Sequence, residues 1–517
     1  MKTQIKDIVI VGGGTAGWLT AGTIAAKLKK DKKSGFTVTL IESPDVPIIG
    51  VGEGTWPTMR RTLRAMGIRE TDFIKACNVS FKQGAKFAKW VSGKDDDFYY
   101  HPLVLPQDFD NTNLAEHWIL GETEGSFSEA VCAQEYLCEQ GLAPKQIATA
   151  EYASIANYAY HLDAGQFSVF IQEHCVNKLG VRHILDHVSK VNNAEDGDIS
   201  SLSTKQNGEL KGDLFIDCTG FKSLLLGENQ QVPFKSCQDI LFVDKAIAVH
   251  VPYADDSSPI ASHTISTAQS AGWIWDIGLS TRRGVGHVYS SKYIDKDTAL
   301  KELKDYIRPS CENVDALSYR EIDIKAGHRE IFWKRNCVAV GLSAGFLEPL
   351  EASALLLVEI SAEMISEQLP ANRAAMDIVA KRFNKTFLYR WACIIDFLKL
   401  HYMLNQRNDN QFWIDHRDPK TIPDSLTELL TLWKHKTPWH EDFEYSREVF
   451  PAASYQYVLY GMGFKTEASH LGLSESSHER ASKLFKKNAL ETQKLVSSLP
   501  TNRELLKKIH QYGLQPI

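Results

Sequence analysis

Residues 7–18 read DIVIVGGGTAGW, and this stretch decides the fold. The run 7–11 is short, apolar and β-branched, as in strands that are buried in parallel sheets. The glycines that follow match G-x-G-x-x-G, in which glycine lets the backbone turn tightly, approach a pyrophosphate and pack a helix on the strand. A helix predicted over 18–30 would direct its N-terminal amides at the phosphates. The residues predicted to bind a dinucleotide here are Gly12, Gly14, Thr15, Ala16 and Gly17.

A second strand, predicted over 36–41, ends in Glu42, where a carboxylate can accept hydrogen bonds from ribose hydroxyl groups. Glu42 lies further from the glycines than the usual spacing of about twenty residues, and an insertion at 29–35 explains the difference. Asp31 is an alternative acid, but it precedes the strand. A strand, glycines, a helix, a second strand and an acid in this order are specific for a dinucleotide-binding unit, whereas the glycines alone are not.

The composition of the chain limits the classes of protein to which it can belong. The chain has 517 residues, of which 43% are hydrophobic and 24% charged, and its net charge is −6. It therefore lacks the basic field that would attract nucleic acid or an anionic membrane, and no apolar run approaches the roughly 18 residues of a membrane span. The nine cysteines are odd in number and contain no Cys-x-x-Cys pair, which predicts reduced thiols in a cytoplasmic protein.

Other elements can be placed from local patterns. Asp163 and Gln166 have the spacing of a capping box, which predicts the start of a helix. Apolar strands are predicted over 213–217, before Thr219-Gly220, and over 337–341, before Leu342. The first of these is similar to the second nucleotide-contacting segment of flavoproteins. The last third of the chain is mainly helical, with helices predicted over 373–404, 423–433, 477–497 and 502–511.

Trp273 and Trp275 stand two positions apart in the segment GWIWDIG. Successive side chains of a strand point to opposite faces of the sheet, so the two indoles share one face. Large rigid apolar rings can wall off a cavity, although an isolated Trp-x-Trp pair is more often simply core. Together with the dinucleotide unit, the pair predicts a flavin site that is screened from its substrate.

The sequence resembles the flavin-dependent tryptophan halogenase family from the N-terminus to about residue 360, with weaker similarity beyond. The matching segments are GGGTAGW at 12–18, GVGEGT at 50–55, FK at 81–82, WIWDI at 273–277 and GFLEPLE at 345–351. The tryptophan motif of the family ordinarily ends in proline, where Gly278 stands here. The resemblance adds Val51, Gly52, Glu53, Gly341 and Leu342 to the predicted cofactor-binding residues, although flavin monooxygenases usually carry Gly-Asp at the last pair.

The fold implied by the resemblance is α/β (α+β). Residues 1–370 would form an FAD-binding, Rossmann-like domain of the flavin monooxygenase type with mixed sheets. Residues 371–517 would form a mainly helical C-terminal part that completes the substrate pocket. No second G-x-G-x-x-G occurs, so the flavin would be reduced by transient contact with NAD(P)H or by another protein.

The resemblance implies FADH2-dependent halogenation with O2 and chloride or bromide. A partner, an NAD(P)H-dependent flavin reductase, would supply reduced FAD, and hypohalous acid would travel through a tunnel to Lys82, which binds it or carries the halogen. Lys86 is the alternative lysine, because strand alternation would put it on the same face as Lys82 and Trp90. Glu351 would polarise the oxidant or take the proton from the halogenated ring. Backbone amides of Ser353 and Ala354 would seat the halide.

The resemblance also implies a substrate pocket for a small aromatic molecule, lined by His101, Leu103, Tyr455 and Gln456. Leu103 replaces an aromatic residue of the family and Gln456 replaces a tyrosine. Met462 stands near the glutamate that receives the amino group of tryptophan in tryptophan-specific members, and a buried ammonium without its carboxylate binds poorly. Free tryptophan is therefore predicted to be a weaker substrate than a less polar indole or another electron-rich arene. A homodimer is compatible with the family.

Three alternatives remain open at this stage. Gly341 to Gly345 satisfies G-x-S-x-G, which would make Ser343 the nucleophile of a serine hydrolase, with Asp377 or Asp396 and then His401 in chain order. Pro349 would delay the helix that a nucleophile elbow needs. The second alternative is a flavin-dependent aromatic monooxygenase on the same fold, and the third is a flavoprotein that binds FAD without turning over.

Overall fold

The structure, a computed structural model, describes residues 4–33, 35–46, 52–467 and 472–516. Its strands are β1 (Asp7–Val11), β2 (Thr37–Glu42), β3 (Gly52–Gly54), β4 (Ser80–Lys82), β5 (Gly84–Ala88), β6 (Phe98–Pro102), β7 (Ala159–Asp163), β8 (Arg182–Leu185), β9 (Val188–Asn193), β10 (Ile199–Thr204), β11 (Glu209–Lys211), β12 (Leu214–Asp217), β13 (Phe234–Ser236), β14 (Lys245–Pro252), β15 (Thr264–Gln269), β16 (Gly272–Gly278), β17 (Arg282–Tyr289), β18 (Tyr319–Asp323), β19 (Gly327–Arg329), β20 (Trp333–Lys334), β21 (Cys337–Ala339) and β22 (Gly345–Phe346).

The α-helices lie between and after these strands. They are α1 (Thr15–Lys30), α2 (Thr58–Ala65), α3 (Glu70–Ala76), α4 (Leu114–Ile119), α5 (Phe127–Val131), α6 (Gln134–Glu139), α7 (Ala164–His174), α8 (Lys296–Ile307), α9 (Ser353–Glu367), α10 (Arg373–Met403), α11 (Gln411–Asp415), α12 (Asp424–Trp433), α13 (Ala452–Gly461), α14 (Glu475–Ser498) and α15 (Asn502–Tyr512). Among the helices that the structure describes, none is both long and apolar enough to cross a membrane.

The chain folds into two compact units, each assembled from three separated segments. Unit 1 takes its described residues from 1–79, 162–237 and 325–391, and unit 2 takes them from 80–161, 238–324 and 392–517. A division into 1–370 and 371–517 coincides with neither unit. The reason is that one sheet of unit 1 contains strands from all three sequence segments of that unit.

The sheet of unit 1 has the order β20-β21-β12-β1-β2-β8. β1 runs parallel to both of its neighbours, and only the edge strand β20 is antiparallel to the strand beside it. Helix α1 connects β1 to β2 and packs against α7 and α9. The predicted strand, helix and strand of a dinucleotide-binding unit are confirmed, and α1 begins three residues earlier than predicted because Thr15 to Gly17 already adopt the helical turn. Asp163 caps α7, as predicted, by accepting from the amides of Gly165 and Gln166.

The main sheet of unit 2 has the order β18-β14-β17-β16-β15-β5-β6. Its neighbouring strands are antiparallel except for β15 and β5, which are parallel. Helix α8 covers one face, where Ala299, Leu303 and Ile307 pack on Ile274 of β16. The two units thus contain both parallel and antiparallel sheets together with helices, which confirms the predicted α/β class with mixed sheets.

The region after residue 371 is helical, as predicted. The four helices expected there from the sequence are α10, α12, α14 and α15, and their observed ends lie within two residues of the predicted ones. The short helices α11 and α13 were not predicted. α13 packs on β6 within unit 2, and this contact positions several of the residues described below.

Candidate active site

The glycine loop between β1 and α1 has the tight geometry that its motif predicts. Gly12 has a φ of +112°, and a Cβ there would lie 2.2 Å from the carbonyl oxygen of Cys218. A Cβ on Gly17 would lie 1.9 Å from the carbonyl oxygen of Gly12. Gly14 differs, because no heavy atom of the described residues lies within 4 Å of its Cβ position. Two glycines are therefore required by packing, and the third leaves the N-terminus of α1 open to a ligand.

The turn Gly341–Ser343 lies against this loop in unit 1. Gly341 has a φ of +72°, and a Cβ there would lie 2.7 Å from the Cβ of Ala16. Thr15 and Ala16 form the first turn of α1. The fold thus brings together two segments that are more than three hundred residues apart in the chain and that the sequence assigned separately to cofactor binding, the glycine loop and Gly341-Leu342.

Glu42 ends β2 beside the glycine loop, as predicted. Its carboxylate lies so close to Gly13 that a Cβ on that glycine would be 1.5 Å from Oε2. His183 Nε2 lies 2.7 Å from Oε1 of Glu42. Burial raises the pKa of Glu42, while the neighbouring imidazole acts in the opposite direction. Asp31, the alternative acid, follows α1 and lies 3.6 Å from Lys27 Nζ.

The segment around Glu53 is described from Gly52 onward, and Val51 lies outside the described residues. Gly52–Gly54 form β3. Burial raises the pKa of Glu53 to about 7. At neutral pH this side chain therefore has access to both protonation states, so it can donate or accept a hydrogen bond.

Ser343 does not have the environment of a hydrolase nucleophile. The side chain is buried, and its hydroxyl donates to the carbonyl oxygen of Asp217 at 2.8 Å. The short strand β22 follows it, rather than the helix that a nucleophile elbow requires. His401, proposed as the base, has its Nδ1 2.6 Å from the hydroxyl oxygen of Tyr99. The serine hydrolase alternative is therefore wrong.

Glu351 occupies a strained backbone position before α9. Its φ is +63° and that of Ala352 is +53°, a left-handed conformation that costs a non-glycine residue about 1–3 kcal/mol and that clusters at functional sites. The indole Nε1 of Trp56 donates to the carbonyl oxygen of Glu351 at 2.8 Å and helps to hold this turn. The Glu351 side chain is buried. Nothing in the sequence pattern indicated this conformation.

Ser353 and Ala354 are the first residues of α9. No side chain of the described residues caps this helix end. The first backbone N–H groups of a helix lack partners within the helix, and the helix dipole makes this end attractive to anions. Both predicted halide residues thus lie at the kind of position where an anion binds.

Lys82 lies in unit 2 at the end of β4, where it pairs with Ala159 of β7. Only 3% of the residue is exposed, although lysine is rarely buried. His161, on the same strand pair, has its Nε2 2.8 Å from Oγ1 of Thr264. Burial, together with the positive charge of Lys82, holds the pKa of His161 well below its usual range. His161 is a neighbour of the predicted lysine that the sequence pattern did not single out.

Lys86 does not share the strand of Lys82, contrary to the prediction. The backbone changes sheets at Gln83, so Lys82 belongs to β4 and Lys86 to β5. Lys86 Nζ lies 2.5 Å from Oε1 of Glu139 and 4.1 Å from the ring centre of Phe98. The ion pair and the cation–π contact are therefore the interactions that hold the Lys86 side chain.

Trp273 and Trp275 lie on β16 and share one face, as strand alternation predicts. We call them the tryptophan screen. Both are buried, with exposed fractions of 1% and 6%, and their ring centres lie 6.5 Å apart in an edge-on arrangement. Ile274 points to the other face, into the core under α8. The room for Trp275 is made by Gly286 on β17, because a Cβ there would lie 2.2 Å from two atoms of the indole.

Gly278, at the end of β16, lies close to two side chains. A Cβ on Gly278 would lie 3.0 Å from Cγ2 of Ile260 and 3.1 Å from the hydroxyl oxygen of Tyr253. The space that a larger residue would need is therefore taken by these two side chains. Glycine, at the position where the family motif ordinarily has proline, therefore avoids a tight contact with both side chains.

The four predicted substrate residues all lie in unit 2. His101 is the penultimate residue of β6, and its Nε2 is 2.9 Å from Oγ of Ser454 on α13. Leu103 is buried just after β6. Tyr455 packs against Phe397 with ring centres 4.9 Å apart, and Phe397 also lies beside His101, at 5.6 Å. The contact of α13 with β6 therefore brings His101 and Tyr455 into one aromatic cluster.

Gln456 is fully buried on α13. Its Nε2 donates to Oδ1 of Asn113 at 2.9 Å and to the carbonyl oxygen of Pro438 at 2.8 Å. Its Oε1 is buried and has no hydrogen-bond partner within the part of the chain that the structure describes. Met462, which ends α13, is buried at 1% exposure. Gln456 therefore has a buried, uncharged acceptor without a partner among the described residues, and Met462 contributes no charge.

The chain is similar to known proteins over nearly its whole length. The family model described as "Tryptophan halogenase" matches residues 7–477. The tryptophan 6-halogenase SttH of Streptomyces toxytricini is 32% identical over 526 residues, covering 98% of each chain. The crystal structure of a tryptophan halogenase from Shewanella frigidimarina is 51% identical, with a TM-score of 0.97 and full coverage of both chains. That of Tar14, a tryptophan C-6 flavin-dependent halogenase from taromycin biosynthesis, is 34% identical with a TM-score of 0.90, covering 98% of this chain and 100% of that one.

Proposed function

Because the chain belongs to the tryptophan halogenase family and is a flavin-dependent halogenase, we propose that it uses reduced FAD, O2 and chloride or bromide to halogenate an indole-type or other electron-rich aromatic molecule. The observation that carries this proposal is the burial of Lys82 at 3% exposure on β4. An amine that must exchange a proton or a halogen needs a partly desolvated place, and lysine tolerates one by shifting its pKa.

Residues of unit 1 fit the flavin. The open N-terminus of α1 at Gly14 would receive the pyrophosphate, and Glu42 would accept from ribose hydroxyl groups, as the motif implies. When bound, reduced FAD supplies the activation of O2 that oxidises the halide to hypohalous acid. The residues assigned to hold it are Gly12, Gly14, Thr15, Ala16, Gly17, Glu42, Val51, Gly52, Glu53, Gly341 and Leu342.

The halide and the acid residue are assigned to the start of α9. Backbone amides of Ser353 and Ala354 would hold chloride or bromide, supported by the uncapped helix end. Glu351 would accept the proton that leaves the halogenated ring. Its left-handed backbone supports this role, since such strain persists where the surroundings dictate a special orientation.

Lys82 is assigned the transfer of the halogen. The amine would hydrogen-bond hypohalous acid or carry the halogen to the substrate carbon. His161 beside it stays neutral, because its pKa is held well below its usual range by burial and by Lys82 itself. A neutral neighbour adds no second positive charge, which would otherwise make a buried cationic site more costly.

The tryptophan screen is assigned the separation of substrate from flavin. Trp273 and Trp275 present two buried rings on one face of β16, and rigid indoles leave little room for a second aromatic molecule. Such a barrier suppresses direct hydroxylation of the substrate.

The substrate is assigned to the aromatic cluster of unit 2, with His101, Leu103, Tyr455 and Gln456 as its walls. The unpartnered Oε1 of Gln456 would accept an indole N–H and so remove the cost of a buried unsatisfied acceptor. Met462 offers no charge to an ammonium group. We therefore infer that indole-type molecules without a free amino-acid moiety are preferred to tryptophan. Comparable kcat/KM values for tryptophan and indole would contradict this preference.

The decisive experiment supplies the protein with FAD, an NAD(P)H-dependent flavin reductase as partner, O2, bromide and indole, and analyses the product by mass spectrometry beside a bromide-free control. We expect a bromine isotope pair that requires the protein. Lys82→Ala should abolish this product while FAD binding and O2 consumption persist. Lys86→Ala is the matched control, since Lys86 is paired with Glu139, and it should retain the product. A hydroxylated product that is independent of bromide would contradict the proposal.

A further inference from the structure

Three side chains of metal-ligating types meet in unit 2, and none of them has an assigned role in halogenation. His117 lies on α4, Glu122 follows that helix, and His478 lies in the first turns of α14. One ligand atom from each residue lies within 4.8 Å of the other two. We propose that these residues form a binding site for a divalent transition-metal cation, and that Zn²⁺ is the ion that this ligand set suits best.

The distances are close to those that Zn²⁺ requires. Nδ1 of His117 lies 2.8 Å from Oε1 of Glu122, and Nδ1 of His478 lies 2.6 Å from the same oxygen. Zinc binds imidazole nitrogen and carboxylate oxygen at about 2.0–2.2 Å, so tetrahedral ligand atoms are about 3.3 Å apart. The side chains need to separate by less than about 1 Å to admit the ion. Two histidines and one carboxylate leave a fourth position for water.

The surroundings orient the buried ligand. The His117 side chain is 1% exposed, and its Nε2 lies 3.0 Å from Oγ of Ser477. A histidine that binds metal through Nδ1 carries its proton on Nε2, and a hydrogen-bond acceptor there fixes the ring and its tautomer. Ser477 supplies that acceptor. The ring of His478 stands edge-on to that of His117, with centres 5.3 Å apart.

A cleft adjoins the site on the side of His117. It has a volume of about 730 Å³, and its lining includes His117, Ser477, Lys436 and Arg480. The two cations of this lining are paired, Arg480 with Asp108 and Lys436 with Asp442, each at 2.5 Å. Their charges are therefore compensated, which lessens the repulsion that an incoming cation would meet.

The consequence would be a cross-link between α4 and the start of α14. Both helices belong to unit 2 and pack on each other. An ion that binds the folded chain and not the unfolded chain raises the melting temperature by mass action. The inference does not depend on halogenation and can be tested without flavin or substrate.

The test titrates metal-free full-length protein with Zn²⁺ by calorimetry and with Co²⁺ by visible absorption. We expect one ion per chain and a rise in Tm on Zn²⁺ addition. His117→Ala and Glu122→Gln should lose the site, and Ser477→Ala should weaken binding by about 10- to 100-fold, as loss of an outer hydrogen-bond partner does. His478→Ala removes a ligand whose side chain is 44% exposed, so it reports on binding even if His117→Ala fails to fold.

His435→Ala is the matched control. His435 Nδ1 lies 3.1 Å from Oε2 of Glu467 on the surface, so it has a carboxylate partner without belonging to the three-residue cluster, and its loss should leave stoichiometry and affinity unchanged. Wild-type protein that binds no Zn²⁺ would overturn the proposal. Equal affinity in His478→Ala, Glu122→Gln and wild type would overturn it as well.

Discussion

Gly286→Ala should displace the ring of Trp275 and weaken the tryptophan screen. Gly286 pairs with Trp275 across β16 and β17, and the added Cβ would lie 2.2 Å from both Cζ2 and Cη2 of the indole. Carbon atoms pack best at about 3.5–4.0 Å, so the overlap exceeds about 1 Å. Trp275 is only 6% exposed, and its ring is enclosed. Overpacking of this kind costs about 1–3 kcal/mol.

Thermal unfolding measures this cost. For a folded unit of a few hundred residues, a loss of 1 kcal/mol in the free energy of unfolding lowers Tm by about 2–4 °C, so we expect a fall of about 2–12 °C. Near-UV circular dichroism should change as the indole moves. On the proposed role of the tryptophan screen, halogenated product per O2 consumed should also fall, because the displaced ring would no longer keep substrate from the flavin.

A double-mutant cycle separates the ring overlap from other effects. The new Cβ would also lie 2.8 Å from the carbonyl oxygen of Ile247, and this contact remains in every background. Trp275→Phe removes the part of the indole that overlaps, so the cost of Gly286→Ala should be smaller there by at least about 1 kcal/mol. The same loss of Tm in both backgrounds, or no loss in either, would refute the reasoning.

Three further predictions follow from the geometry of unit 1. Glu351→Gly should keep or raise Tm, because glycine adopts the left-handed backbone conformation of this position without strain. The rate of product formation should fall by about 10²–10⁴-fold. A lowered Tm would argue against strain at this position. Glu359→Gln should flatten the fall of Tm with pH. Burial raises the pKa of Glu359 to about 8, so the contribution of this group to wild-type stability is fully present below about pH 4.5 and is lost as pH rises through about 8. Parallel Tm curves for the two proteins would contradict this. Gly14→Ala should fold normally but bind FAD more weakly in a fluorescence titration. Gly17→Ala should instead lower Tm, because its Cβ would meet the backbone. Full FAD affinity in Gly14→Ala would contradict the assignment of Gly14 to the cofactor site.

Much of this fold follows from local signals in the sequence. The βαβ unit at 7–42, the cap at Asp163 and the long helix after residue 373 are each dictated by short-range chemistry: β-branched runs, a side-chain acceptor at a helix start, and amphipathic spacing. These elements appear in the structure close to their predicted bounds. The shared face of Trp273 and Trp275 follows in the same way, since the alternation of a strand depends on nothing outside it.

Other features depend on contacts between distant residues and could not be predicted. The change of sheet at Gln83 separates Lys82 from Lys86, because β4 pairs with β7 whereas β5 pairs with β15 and β6. His183 beside Glu42 and His161 beside Lys82 come from remote parts of the sequence. The left-handed turn at Glu351 is held by Trp56, nearly three hundred residues earlier. No periodicity in a single segment carries such information.

The interleaving of the two units has a consequence for biosynthesis. The first segment of unit 1 ends at residue 79, but the last one is complete only at residue 391. At roughly 5–20 residues per second, a ribosome needs about 15–60 s to cover that distance. For part of this time β1 and β2 lack β12, and for most of it they lack the edge of the sheet formed by β21 and β20, so apolar surface stays exposed or bound to chaperones. A truncation near residue 324 would leave both units incomplete, so we expect nascent-chain protection, rather than intrinsic stability, to limit the yield of this protein in a foreign host.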